Sequence, residues 1–101
     1  MRCAVKYLSL MVVMGTVPVG ALAYTGQELA GQAKVSIQAA RQAALKAAPG
    51  KLVSEELEKE AGGSGLRYSF DITVNGVARE VGVDANTGAL LENAVEGAHP
   101  D

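Results

Sequence analysis

The groups that most often do chemistry are unevenly spread along this 101-residue chain. Ten of its eleven acids follow position 50, while its one cysteine, Cys3, and its one histidine, His99, lie near the two ends. Glu55, Glu56, Glu58 and Glu60 crowd one short stretch. Carboxylates at that density can chelate calcium, but the spacing matches no calcium loop, and a solvated strand edge accounts for it. Asp71 and Glu80 are the other candidates, as a carboxylate pair for acid–base work, yet nothing around them signals a pocket. A hydrolytic triad needs a base held beside a nucleophile. His99 falls in the tail, three residues from the end, where nothing fixes its geometry. One histidine without a usable cysteine makes a zinc site improbable. Gly62-Gly63-Ser64-Gly65 would cradle a phosphate only if a helix followed, and an alternating segment follows instead. The reading is therefore a protein that is no enzyme and holds no cofactor or metal.

The chain begins as an export precursor does. Arg2 and Lys6 precede an uncharged run, Tyr7 to Gly20, which is broken by Pro18 and followed by Ala21-Leu22-Ala23. A basic start, an apolar core and a small-x-small site form a secretory signal, with cleavage expected between Ala23 and Tyr24. The run is too short for the ~20 apolar residues of a membrane span. No cysteine stands at the cut, so no lipid anchor is expected. Removing residues 1–23 leaves 78 residues, with seven basic groups against eleven acids, a net charge of −4. Such a chain has no cysteine and so no disulfide. It lacks the basic stripe of a nucleic-acid binder, and anionic lipid repels it. The expected location is the periplasm or the exterior, with no membrane attachment after cleavage.

The elements that position these groups read as follows. Residues 24–35 form an N-terminal arm. Thr25 and Glu28 have capping-box spacing, so a short helix and a frayed arm both fit there. Ser36 is a good N-cap for a helix through Ala48, with Ile37, Ala40, Ala44, Leu45 and Ala48 on one stripe and Pro49-Gly50 as the stop. Arg41 lies near the boundary of that stripe. From Lys51 the period falls to two. Lys51 to Glu60 reads as an acidic edge strand with Val53 and Leu57 inward, although its composition also allows a helix.

Leu66 to Val74 alternates without a fault, the mark of a strand buried on one face. Asn75-Gly76 predicts a type I′ hairpin, and Val77 to Asp84 returns. That turn sets Phe70 against Val81, Arg67 against Asp84, and Asp71 against Glu80; Arg79 must send its head to solvent. A turn at Asp84-Ala85-Asn86-Thr87-Gly88 leads to a last strand, Ala89 to Glu92, which adds one of Leu90 and Leu91 to the core. Residues from Asn93 on read as loose; 36–93 is the domain and 94–101 a flexible acidic tail. The fold expected is α+β: one helix packed on a four-stranded antiparallel meander. The open face would carry Arg67, Ser69, Asp71, Thr73, Glu80 and Asp84, the candidate partner-binding residues.

Two segments in this order, Ala44-Leu45-Lys46-Ala47-Ala48-Pro49-Gly50 and Val83-Asp84-Ala85-Asn86-Thr87-Gly88, resemble the PepSY domain family. The likeness covers roughly Lys34 to Glu92. PepSY domains occur in propeptides of thermolysin-like metallopeptidases, where they are associated with inhibition, in membrane sensors, and as lone secreted domains. The resemblance thus implies an extracytoplasmic module that inhibits or regulates a peptidase, with a peptidase or envelope sensor as protein partner. Its alternative is a binding or sensor module for a small ligand, a cation or a partner protein. No peptidase domain follows here, so a target would be a separate protein. The resemblance carries over no catalytic residue, and it implies a structural turn at Asp84, Thr87 and Gly88. The oligomeric state is not legible.

Overall fold

The computed structural model describes residues 24–97. The expected signal with Cys3, and the tail bearing His99, lie outside the described residues. Within them the order is a 3-10 helix (Gln27–Gln32), α1 (Ile37–Ala47), β1 (Lys51–Lys59), β2 (Leu66–Val74), β3 (Val77–Asp84) and β4 (Leu90–Val95). The strands form one antiparallel sheet in the order β1-β2-β3-β4, so the α+β meander read from the periodicity is the fold. No helix among the described residues is long and apolar enough to cross a membrane.

Local chemistry explains most boundaries. The Ser36 hydroxyl accepts from the Ala39 amide at 3.1 Å and starts α1. The helix buries Ile37, Ala40 and Ala44, and Ala48 is buried just past its end. Alanines on that stripe let α1 lie close to the sheet, over Leu57, Leu66, Tyr68, Phe70, Ile72, Val81 and Val83. Asn75 and Gly76 both adopt positive φ, 52° and 81°, as the tight turn requires. The β2–β3 register is the one that turn dictates, from Val74 opposite Val77 to Arg67 opposite Asp84.

Four expectations need correction. Val53 is 62% exposed, because a bulge between Leu52 and Ser54 resets the alternation and turns Leu52 toward the core. Neither Leu90 nor Leu91 is in the buried core: Leu91 is the extra residue of a second bulge opposite Gly82 and Val83, and Leu90, opposite Val83, is half exposed. β4 also outlasts Glu92: Asn93, Ala94 and Val95 pair with Val81, Glu80 and Arg79, so the tail begins later than expected.

The arm, finally, is docked. Gly26, with φ of 86°, caps the 3-10 helix without a side-chain bond, so no capping box forms at Thr25. Thr25 bridges Glu56 in parallel and takes the Leu57 amide at 2.8 Å, while Tyr24, Leu29, Ala33 and Val35 pack on the core. The Tyr68 hydroxyl donates to the Val35 carbonyl at 2.7 Å, and the Lys34 and Val35 amides both reach the Ala85 carbonyl.

Candidate functional site

The sheet has a roof on one side only. β2 alternates so that Arg67, Ser69, Asp71 and Thr73 point away from α1, all half-buried. Cross-strand partners extend this face: Glu58, Glu56 and Ser54 from β1, Glu80 and Gly82 from β3, Glu92 and Ala94 from β4. The structure therefore brings together five of the six residues singled out from the sequence.

The sixth does not belong to it. Asp84 is 1% exposed and turns inward. Its carboxylate accepts from the Ser64 amide (2.6 Å) and hydroxyl (2.8 Å), and from the Asn86 (2.8 Å) and Thr87 (3.0 Å) amides. Those bonds, led by the Ser64 amide, hold its pKa well below the usual carboxylate range against the opposing effect of burial. Asp84 ties the β1–β2 loop to the β3–β4 turn. Although Arg67 lies opposite Asp84 in register, its guanidinium runs to Glu92 at 3.3 Å and to the Ala61 carbonyl at 3.3 Å. It lies across Gly82, where a Cβ would crowd the Arg67 stem.

Electrostatically the face is acidic. Asp71 lies opposite Glu80 as expected, and the Ser54 hydroxyl donates to Asp71 at 2.6 Å. Glu58 accepts from the Ser69 hydroxyl at 2.8 Å. Burial, then the fields of Glu92, Asp71, Glu96 and Glu58, push the Glu80 carboxyl above the ordinary glutamate value. Glu58, Glu92 and Glu96 were not foreseen here, because their places depend on the pairing of β1 and β4 across bulges. Arg79 sends its head outward as expected, where it donates to the Asn93 side chain at 3.0 Å in an exposed bond.

One acid of the β1 cluster has a different task. Glu55 lies opposite Phe70, on the helix side, and takes a two-pronged bond from Arg41 of α1 at 2.6 and 3.0 Å. That bond raises the already high Arg41 pKa. The sequence placed Arg41 at the boundary of the buried stripe, which is the one signal that could have found the pair. Among the described residues no three histidine, cysteine, aspartate or glutamate side chains converge to hold a metal ion. Asp71 and Glu80 lie side by side on the open, half-buried face of the sheet.

The family model for PepSY, described as peptidase propeptide and YPEB domain, matches residues 34–93. The chain belongs to this family. The matched span opens on the two amides that dock on Ala85 and closes inside β4, so the PepSY unit is the α1–β4 body itself. Comparison with curated proteins and with solved structures finds no match. The family's Asp-x-x-Thr-Gly turn is the structural knot at Asp84, Thr87 and Gly88, where the Gly88 amide closes onto the Asp84 carbonyl at 2.9 Å.

Proposed function

We propose that this PepSY domain works outside the cytoplasm as a non-enzymatic module that inhibits or regulates a peptidase, docking through an edge or the open face of its sheet. The observation that carries the reading is the match to a peptidase-propeptide family over the whole α1–β4 body, in a sheet covered on one side only. Occlusion needs no catalytic group. It needs a rigid surface with unpaired backbone or an unroofed face, and strand addition is the natural mode for a small sheet.

The test is turnover of a fluorogenic peptide by thermolysin-like metallopeptidases, titrated with the purified protein. Slowed turnover that saturates is expected. Unchanged turnover at high micromolar protein, across several envelope peptidases, refutes inhibition.

A second reading, a non-inhibitory binding or sensor module, is favoured by one feature. A cleft of about 410 Å³ opens between the arm and the start of α1, lined by Tyr24, Lys34, Ser36, Gln38 and Tyr68 among others. A thermal-shift screen separates the two, since a ligand that binds the native state raises its melting temperature.

A further inference from the structure

The two edges of the sheet are not equivalent. β1 is closed to strand addition where it matters most: Thr25 bridges Glu56 and occupies the Leu57 amide, and a bulge interrupts the strand at Leu52–Ser54. β4 is the opposite end of the sheet order, and among the described residues no strand lies outside it. Its Leu90–Val95 run holds neither a proline nor a lysine, and its bulge lies at the Leu90 end, away from Asn93–Val95.

The direction of its backbone groups follows from one bond. The Glu96 amide donates to the Ala78 carbonyl at 2.9 Å, so position 96 faces β3. Alternation then sends Ala94 and Glu92 toward β3, and the Asn93 and Val95 amides outward. Arg79 reaches the Asn93 carbonyl at 3.4 Å, which leaves the outward Asn93 and Val95 amides as the donors a new strand would meet.

The side chains flanking this edge differ in kind. Leu90 and Val95 lie opposite Val83 and Arg79, on the helix side, yet they are 50% and 42% exposed. On the other side stand Glu96 and Glu92, the latter opposite Gly82 and already bonded to Arg67, with Glu80 one strand behind.

We infer that the outer edge of β4 is the docking edge of this domain, and that it takes an extended segment in which apolar residues alternate with lysine or arginine. The inference rests on the reading above that the partner is a protein, and it supplies that partner's chemistry. Apolar side chains of the added strand cover Leu90 and Val95. Basic ones meet the acidic row on the open face, where opposite charges on neighbouring strands attract and like charges repel. Main-chain bonds supply the affinity and the alternation supplies the specificity.

The experiment uses a blocked peptide, Lys-Val-Lys-Val-Lys-Val-Lys, with two comparators: glutamate in place of lysine, and the same composition with lysines and valines in separate blocks. Amide hydrogen exchange of the protein is followed by NMR. The lysine–valine peptide is expected to slow exchange at Asn93 and Val95, with binding weakened by salt. The comparators are expected to bind at least tenfold more weakly. Val95→Pro removes the outward amide, spares the amides that face β3, and is expected to lose at least tenfold in binding. Glu96→Lys, which touches no ladder bond through its side chain, is expected to weaken the lysine peptide and strengthen the glutamate one, so the idea stays testable if the proline variant fails to fold.

Equal binding of all three peptides, or protection arising at the β1 edge, overturns the inference. So does a protein that sediments as a dimer with the Val95 amide already protected, since a second copy then fills the edge. If Val95→Pro loses the peptide but still slows a peptidase, the edge is not the inhibitory surface, and the proposed function stands. If the native protein binds the peptide and slows no peptidase, the edge stands and inhibition falls.

Discussion

Gly26→Ala should release the arm from the sheet while leaving the sheet intact. Gly26 adopts φ of 86°, and a Cβ built there would overlap the backbone carbonyl of Leu57. A carbonyl in a strand cannot step aside as a flexible side chain would. The left-handed conformation alone costs alanine about 1–2 kcal/mol. Lifting the arm also breaks the 2.8 Å bond from the Leu57 amide to Thr25. That amide lies at an edge where water can replace the lost partner, so the bond contributes about 0.5 kcal/mol, the low end of the usual range. The strain is felt only while the arm is docked and the bond is lost only when it lifts, so the two do not add; the hold of the arm weakens by about 2 kcal/mol at most, a fall of no more than about 8–16 °C in melting temperature for a domain this size.

The decisive assay is residue-resolved hydrogen exchange. About 2 kcal/mol corresponds to roughly thirtyfold faster exchange if arm opening limits the Leu57 amide. Amides in the β2–β3 ladder that open only by global unfolding lose protection together with the domain's stability, so separability is read from cross-strand contacts: the β2–β3 pairing, to which the arm contributes no strand, should persist in the folded variant. Unchanged exchange at Leu57 would refute the claim that the arm plugs this edge. Loss of the β2–β3 cross-strand contacts in the folded variant would refute the claim that the plug is separable from the fold.

Two further outcomes follow from the charged groups. Arg41→Ala strands Glu55 between α1 and the sheet, half-buried and without its two-pronged partner. The expected cost is about 1–3 kcal/mol. A double-mutant cycle with Glu55→Ala should show coupling of about 0.5–3 kcal/mol, and additive losses would contradict the pairing. For Glu80 the sign runs toward stabilisation. Its folded pKa lies above the unfolded one, so ionising it costs the native state stability as pH rises through the folded value. Glu80→Gln should therefore melt higher at pH 7, and the gain should vanish below the ordinary glutamate range near pH 4. Thermal melts across that range check it, and a gain that persists at pH 3 would show that the effect is not ionisation.

What could be read from the sequence divides along a physical line. α1 and the β2–β3 hairpin are encoded by neighbours in the chain: Ser36 at one end, Pro49-Gly50 at the other, Asn75-Gly76 between two faultless strands. Each signal acts over a few residues, so it survives the absence of tertiary information. Bulges do not behave this way. With Glu55 turned to α1 to meet Arg41, strict alternation would point Val53 inward as well. The bulge substitutes Leu52, which packs on the core, and exposes Val53. The choice depends on how β1 fits the helix and β2 together, and no window of β1 contains that information. The same holds at Leu91, the extra residue of the bulge opposite Gly82 and Val83.

Asp84 shows why the most distinctive stretch of the chain is also the least informative about function. Read as one of an alternating series, it belongs with Arg67 and Glu80 on the open face. In the folded chain its carboxylate gathers donors from two loops, from Ser64, twenty residues earlier, on one side and from Asn86 and Thr87 on the other. A group that binds four donors internally has no capacity left for a partner. The turn from Asp84 to Gly88 is therefore a fold device. Specificity must come from positions the fold leaves free, and those differ between the two edges: β1 is engaged by the chain's own arm, while β4 presents Val95 and Asn93 amides between an apolar border and an acidic one.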